Sequence, residues 1–225
     1  MGEARRRDAE LKTLEAGMAR SGWAMRGVGL ALLGLALSPV ATRAGELSGT
    51  AQVRTNQLAA FTRTQPRGAL DEATVFFRGD AVRIEFSDAA GRHRALVLPA
   101  DRATGWLEDA RGNVLPLPMG RWPLRADPAQ PCVGQGMFAD CQPAGEGIYA
   151  GRNARQWRYR LPNATGPGRT RQGRMWLDAD TGFVLAYEGD TGVGADARWQ
   201  VRSVQYGPQP DTLFKPPAAA GQFAR

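Results

Sequence analysis

A chain of 225 residues with 29 Lys/Arg against 22 Asp/Glu, one histidine and two cysteines excludes several chemistries before any motif is read. One histidine cannot furnish a multi-histidine metal site, and a formal charge of +7 is too moderate to argue for a nucleic-acid partner. The length suffices for a substantial hydrophobic core without staples.

The amino end reads as a leader. Gly27 to Val40 is an apolar run of fourteen residues behind Arg20 and Arg26, too short for the roughly 20 helical residues that cross a bilayer. Thr42 and Ala44 supply small residues for cleavage after Ala44, so residues 1–44 are expected to be a secretory signal peptide. Met18 or Met25 as the true start would give a leader of ordinary length. Arg5-Arg6-Arg7 stand some twenty residues from the apolar run, too far for a twin-arginine signal. The cleavage region has no cysteine to carry a lipid anchor. Residues 1–44 hold seven Lys/Arg and four Asp/Glu, so their removal lowers the formal charge from +7 to +4. The expected product is periplasmic, with no stable membrane span after cleavage: one β-rich domain over residues 45–225, with a flexible Pro/Ala/Gly tail from about residue 216.

From Glu46 onward the apolar period is two. Val82, Ile84 and Phe86 alternate with Arg83, Glu85 and Ser87, as in a half-buried antiparallel strand. In chain order, strands are expected over Leu47–Arg54, Thr74–Arg78, Ala81–Ser87, His93–Leu98, Thr104–Glu108, Asn113–Leu117, Ala154–Leu161, Thr170–Leu177, Phe183–Glu188 and Ala197–Tyr206. Turn residues separate them, among them Arg78-Gly79-Asp80 and Asp88 to Arg92. Asn56 to Phe61 allows a helical turn or two, and the breaker-rich stretch from Pro123 to Phe138 reads as a loop. The fold class is mainly β: one large curved antiparallel sheet, an open or half barrel, capped by few short helices or loops.

Candidate chemistry is sparse. Cys132 and Cys141 in PCVGQGMFADC are expected to form a disulfide, because their spacing fits neither a redox pair nor a zinc site. In MWLDADTGFVLAYEGD, Asp178 and Asp180 could begin a calcium loop, but Gly182 occupies the next ligand position and no glutamate closes the loop. A hairpin turn accounts for every residue there. Gly192 to Ala197 matches G-x-G-x-x-A, yet ARWQVRSVQY follows as a strand where a dinucleotide site needs a helix. His93 has no nucleophile motif to serve, and Glu85, Glu108 and Glu188 read as solvated strand residues. No catalytic residue, metal or cofactor is expected, and the chain is read as a non-enzyme.

The strongest binding signal is AGRNARQWRYRLPN, in which Arg155, Trp157, Tyr159 and Leu161 alternate with Gln156, Arg158 and Arg160. With Trp176 and Trp199 on following strands, Arg155, Trp157, Tyr159, Trp176 and Trp199 are the candidate ligand-binding residues. They would give a concave apolar pocket with a cationic rim, or, alternatively, ordinary core under a second layer.

The stretches GIYAGRNARQWRYR, RMWLDADTGFVLAYE and VRSVQYGPQPDTLFKPPA resemble the periplasmic lipoprotein-carrier group with the LolA/LolB-like fold. The resemblance covers residues 46–218 by strand order and is specific over 147–218. It implies an unclosed antiparallel barrel whose apolar interior accepts acyl chains. The long amphipathic helix of the carriers is replaced by the strand-like ELSGTAQVRT, which implies a divergent relative of unknown function. The expected function is binding of a lipid or other amphiphile in the half-barrel; the alternative is an envelope protein–protein interaction module without a small ligand.

Overall fold

The computed structural model describes residues 46–62, 69–100, 104–118, 122–192 and 196–215. The expected leader and the expected tail lie outside these residues. Eleven strands form one antiparallel sheet. They are β1 (Ser48–Thr55), β2 (Asp71–Arg78), β3 (Ala81–Ser87), β4 (His93–Leu98), β5 (Gly105–Asp109) and β6 (Val114–Leu117) in the first half. The second half supplies β7 (Asp140–Tyr149), β8 (Arg152–Arg160), β9 (Gln172–Asp178), β10 (Val184–Asp190) and β11 (Ala197–Tyr206). One short helix, α1 (Ala59–Thr62), follows β1.

The sheet order is β6-β5-β4-β3-β2-β1-β11-β10-β9-β8-β7, so two meanders meet where β1 pairs with β11 and the sheet stays open at β6 and β7. This is the mainly β, unclosed architecture expected from the period-two pattern. Ten of the strands correspond to expected ones. The eleventh, β7, was not foreseen, because DCQPAGEGIY contains Pro143, Gly145 and Gly147 and is exposed along almost its whole length. Register shifts at Gln52/Val53, Pro143/Gly145 and Val184/Ala186 bend and coil the strands concerned.

Cross-strand register defines two faces. On the inner face Val53 opposes Val201 and Ala73, Val75 opposes Ile84, and Ile84 opposes Leu96. Trp199 opposes Tyr187, which in turn opposes Met175. These side chains form one buried cluster that spans both meanders. The outer face of β2 and β3 is partly covered by the 3-10 turn Asp211–Phe214, where Phe214 is buried beneath the Arg78 guanidinium, 5.5 Å from the ring centroid. Arg78 also pairs with Asp211.

The turn between β9 and β10 is held by Asp178, whose side chain is fully buried. Its Oδ1 accepts the backbone N–H groups of Asp180 (3.0 Å) and Thr181 (3.1 Å). Its Oδ2 accepts Arg152 Nε (2.7 Å) and Tyr206 Oη (2.8 Å). The two aspartates of the motif therefore act as a turn and an ion-pair anchor. Arg152 also stacks over the Tyr206 ring at 5.2 Å and reaches Asp180 at 3.1 Å. Among the described residues no group of three or more His, Cys, Asp or Glu could hold a metal.

Burial alone would raise the Asp178 pKa, but the Arg152 and Tyr206 hydrogen bonds and the two backbone N–H groups outweigh it and hold the carboxyl below its ordinary 3.8. A depressed folded-state pKa stabilises the fold above the unfolded value, and this contribution is lost as pH falls below about 4. Asp178→Asn is expected to cost roughly 2 to 4 kcal/mol at neutral pH in urea unfolding and to make the acid limb of the stability profile shallower. Asp180, 66% exposed, should cost less than about 0.5 kcal/mol when changed to Asn.

Candidate functional site

The connection from β6 to β7 runs from one edge of the sheet to the other. Its described part, residues 122–139, lies over the inner face against β10 and β11. It does so as an irregular strap. Trp122 and Leu124 are buried in the core, and the Trp122 ring lies 5.8 Å from that of Trp199. Val184 N donates to Leu124 O (2.8 Å) and Ala126 N donates to Gly182 O (3.0 Å), while Arg125 forms a bridge with Phe183. The strap ends in the disulfide Cys132–Cys141, with Cα atoms 5.8 Å apart, which ties it to β7.

Gly182 makes this contact possible. Its φ of +71° belongs to the left-handed region, and a Cβ there would collide with the Ala126 carbonyl oxygen. Turn and strap thus meet closely through backbone atoms, and Arg125 Nε adds a hydrogen bond to Thr181 O (3.1 Å).

The five candidate residues do not share a face. Arg155, Trp157, Tyr159 and Trp199 lie on the inner face, since Arg155 opposes Leu177, Trp157 opposes Met175 and Trp199 opposes Tyr187. Trp176 opposes Gln156 and Ala186 and belongs to the outer face. Trp199 is completely buried, stacked on Tyr187 with a 5° interplanar angle, and donates Nε1–H to Val184 O (3.2 Å). Tyr159 is buried and hydrogen-bonded to the Thr170 hydroxyl. Burial, partly opposed by that hydrogen bond, pushes its phenol up to about 12. Arg155 is spent on structure: Nη1 donates to Pro128 O of the strap (3.4 Å), and Nε lies 3.4 Å from Glu146. Trp157 is half-buried against the core cluster.

Among the described residues a cavity of about 50 Å³ lies beneath the strap, bounded by Pro131, Cys132, Tyr159, Leu161, Met175 and Val184. Ligand pockets run to roughly 300 Å³ and above, so this space admits a few waters and no acyl chain. Trp122, Leu124 and Tyr187 do the sealing, and the sequence reading did not single them out. For Tyr187 the signal was present, since it alternates with Leu185 in the β10 run; Trp122 borders a breaker-rich stretch with no period.

The outer face of β8 to β11 is different. Tyr149 and Trp176 lie 6.0 Å apart, ring to ring. They border an open depression of about 230 Å³ completed by Ala186, Glu188, Arg198 and Gln200. Arg198 pairs with Glu188 at 2.9 Å. His93 sits exposed at the start of β4, opposite the exposed Ser87.

No family model matches the chain, and no curated protein matches it. Solved structures similar to it include the Pseudomonas aeruginosa MucA/MucB complex, at 16% identity and a TM-score of 0.38, over 76% of this chain and 56% of that one. A LolA superfamily protein from Nitrosomonas europaea is 11% identical with a TM-score of 0.33, over 76% of this chain and 90% of that one. A putative outer membrane lipoprotein-sorting protein domain from Vibrio parahaemolyticus is 10% identical with a TM-score of 0.24, over 76% and 89%. The chain spans little more than half of the MucB chain it matches. The group whose likeness was noted in the sequence is thus among the structures that resemble this one.

Gly182→Ala should destabilise the fold by roughly 2 kcal/mol, through left-handed strain and displacement of the strap. Cys132→Ser with Cys141→Ser should cost roughly 2 to 3 kcal/mol by releasing a loop of about ten residues. Urea unfolding followed by tryptophan fluorescence measures both, and unchanged midpoints would show that the strap does not hold the inner face.

Proposed function

We propose that this is an exported, non-enzymatic periplasmic protein that works as a protein–protein interaction module, docking its partner on the outer face of β8 to β11. Of the two functions the sequence allows, amphiphile carriage and protein docking, the second fits the geometry better. The observation that carries it is that, among the described residues, the strap covers the inner face and the cavity beneath it holds about 50 Å³, while the open aromatic depression lies on the opposite side. An amphiphile would have to displace Trp122 and Leu124 from the core to enter.

On the outer face, the Tyr149–Trp176 pair has the composition of an interface anchor, since Trp and Tyr carry much of the binding energy where they are desolvated by a partner. The Arg198–Glu188 pair beside them would form a polar rim. Main-chain pairing at the sheet edges is less favourable. Pro143 and a register shift interrupt β7, and β6 has only four residues including Pro116.

A photo-crosslinking residue at Gln200, beside Trp176, is expected to give one adduct of fixed mass in envelope preparations. Trp176→Ala should weaken that complex about 30-fold, roughly 2 kcal/mol. Native mass spectrometry of delipidated protein should show no uptake of fatty acid. Stoichiometric uptake, with no crosslinked adduct, would return the assignment to amphiphile binding.

A further inference from the structure

We propose that the corner of the sheet where β7, β8 and β9 meet, together with the disulfide-closed loop, docks onto an anionic phospholipid surface. Arg158 and Arg174 stand directly opposite each other on neighbouring strands, and Arg160 follows two residues along, opposite Asp140 and Gln172. All three arginines are exposed. Among the described residues none of them forms an ion pair. The Asp140 carboxylate accepts the Gln142 amide (3.1 Å), and Glu188, opposite Arg174, is engaged by Arg198. Like charges directly opposite each other destabilise a sheet, and among the described residues no ion pair to either arginine offsets this.

These arginines border an open depression of about 490 Å³ together with Asp140, Gln142, Tyr159 and Gln172. Guanidinium forks and amide groups suit phosphate oxygens. The loop that leads into β7 carries two exposed apolar side chains. Met137 is 94% exposed and Phe138 79% exposed, on the loop closed by Cys132–Cys141, and Phe138 lies two residues before Asp140. A covalently closed loop has little ordering entropy left to lose on insertion. Cations beside exposed apolar side chains are the pattern of interfacial membrane binding, with headgroups held by charge and the acyl boundary entered by the apolar tip. This surface adjoins the Tyr149–Trp176 depression on the same outer face, since Arg158 and Arg174 stand two residues from Gln156 and Trp176, and vesicle binding reads it separately from the crosslinked adduct of the protein-docking reading.

The test uses protein recovered in its exported form, with its N-terminus determined by mass spectrometry, in sedimentation with vesicles. Vesicles of phosphatidylcholine with about a third phosphatidylglycerol should bind at least tenfold more tightly than phosphatidylcholine alone, with affinity falling as salt rises. Arg158→Glu with Arg174→Glu should reduce binding at least tenfold. Met137→Ser with Phe138→Ser should reduce it about fivefold, with the unfolding midpoint unchanged because both side chains are exposed. Equal binding to the two vesicle types, or unchanged binding by either double variant, overturns the proposal. Binding of poly-glutamate without vesicle binding also overturns it, and assigns the surface to an acidic polypeptide.

Discussion

An open antiparallel sheet of eleven strands has one apolar face too many. Its two meanders bury backbone polar groups in their ladders, but neither supplies a second layer to cover the inner side chains, and a sheet face of that size cannot be left in water. In this protein the covering layer is the connection from β6 to β7, which lays Trp122 and Leu124 on Trp199 and Val184. Where the strap lies, the inner face is part of the core.

The strap and the β9–β10 turn fix each other. Asp178 gathers two backbone N–H groups, the Arg152 guanidinium and the Tyr206 hydroxyl, and so joins the starts and ends of three strands. From the other side, the Gly182 carbonyl in the same turn receives the strap through Ala126. A side-chain hub and a main-chain contact therefore converge on five residues. The absence of a side chain at Gly182 matters as much as the carboxylate at Asp178, because one admits the strap and the other sets the turn it rests on.

Much of this fold was legible in the sequence, because alternation along one strand is a local property. Val82, Ile84 and Phe86 declare their shared face without reference to any neighbour, and so do Arg155, Trp157 and Tyr159. Which face of one strand meets which face of the next is not local. Trp176 reads naturally as a companion of Trp157, yet the register sets Met175 there and turns Trp176 outward. Strand β7 escaped because an edge exposed on both sides has no apolar period, and Trp122 escaped because the segment around it lacks regular structure. The disulfide could be inferred from composition and spacing; the strap it anchors could not.

The pairing of β1 with β11 places the two ends of the described chain side by side at the middle of the sheet. Strands β2 to β6 and β7 to β10 can each zip up hairpin by hairpin with short loops, but β1 gains its second neighbour only when a segment about 150 residues later arrives. A chain that emerges from its amino end thus carries a half-paired central strand until β11 has emerged. In an unfinished molecule the exposed main-chain donors and acceptors lie at the centre, where the finished one has none.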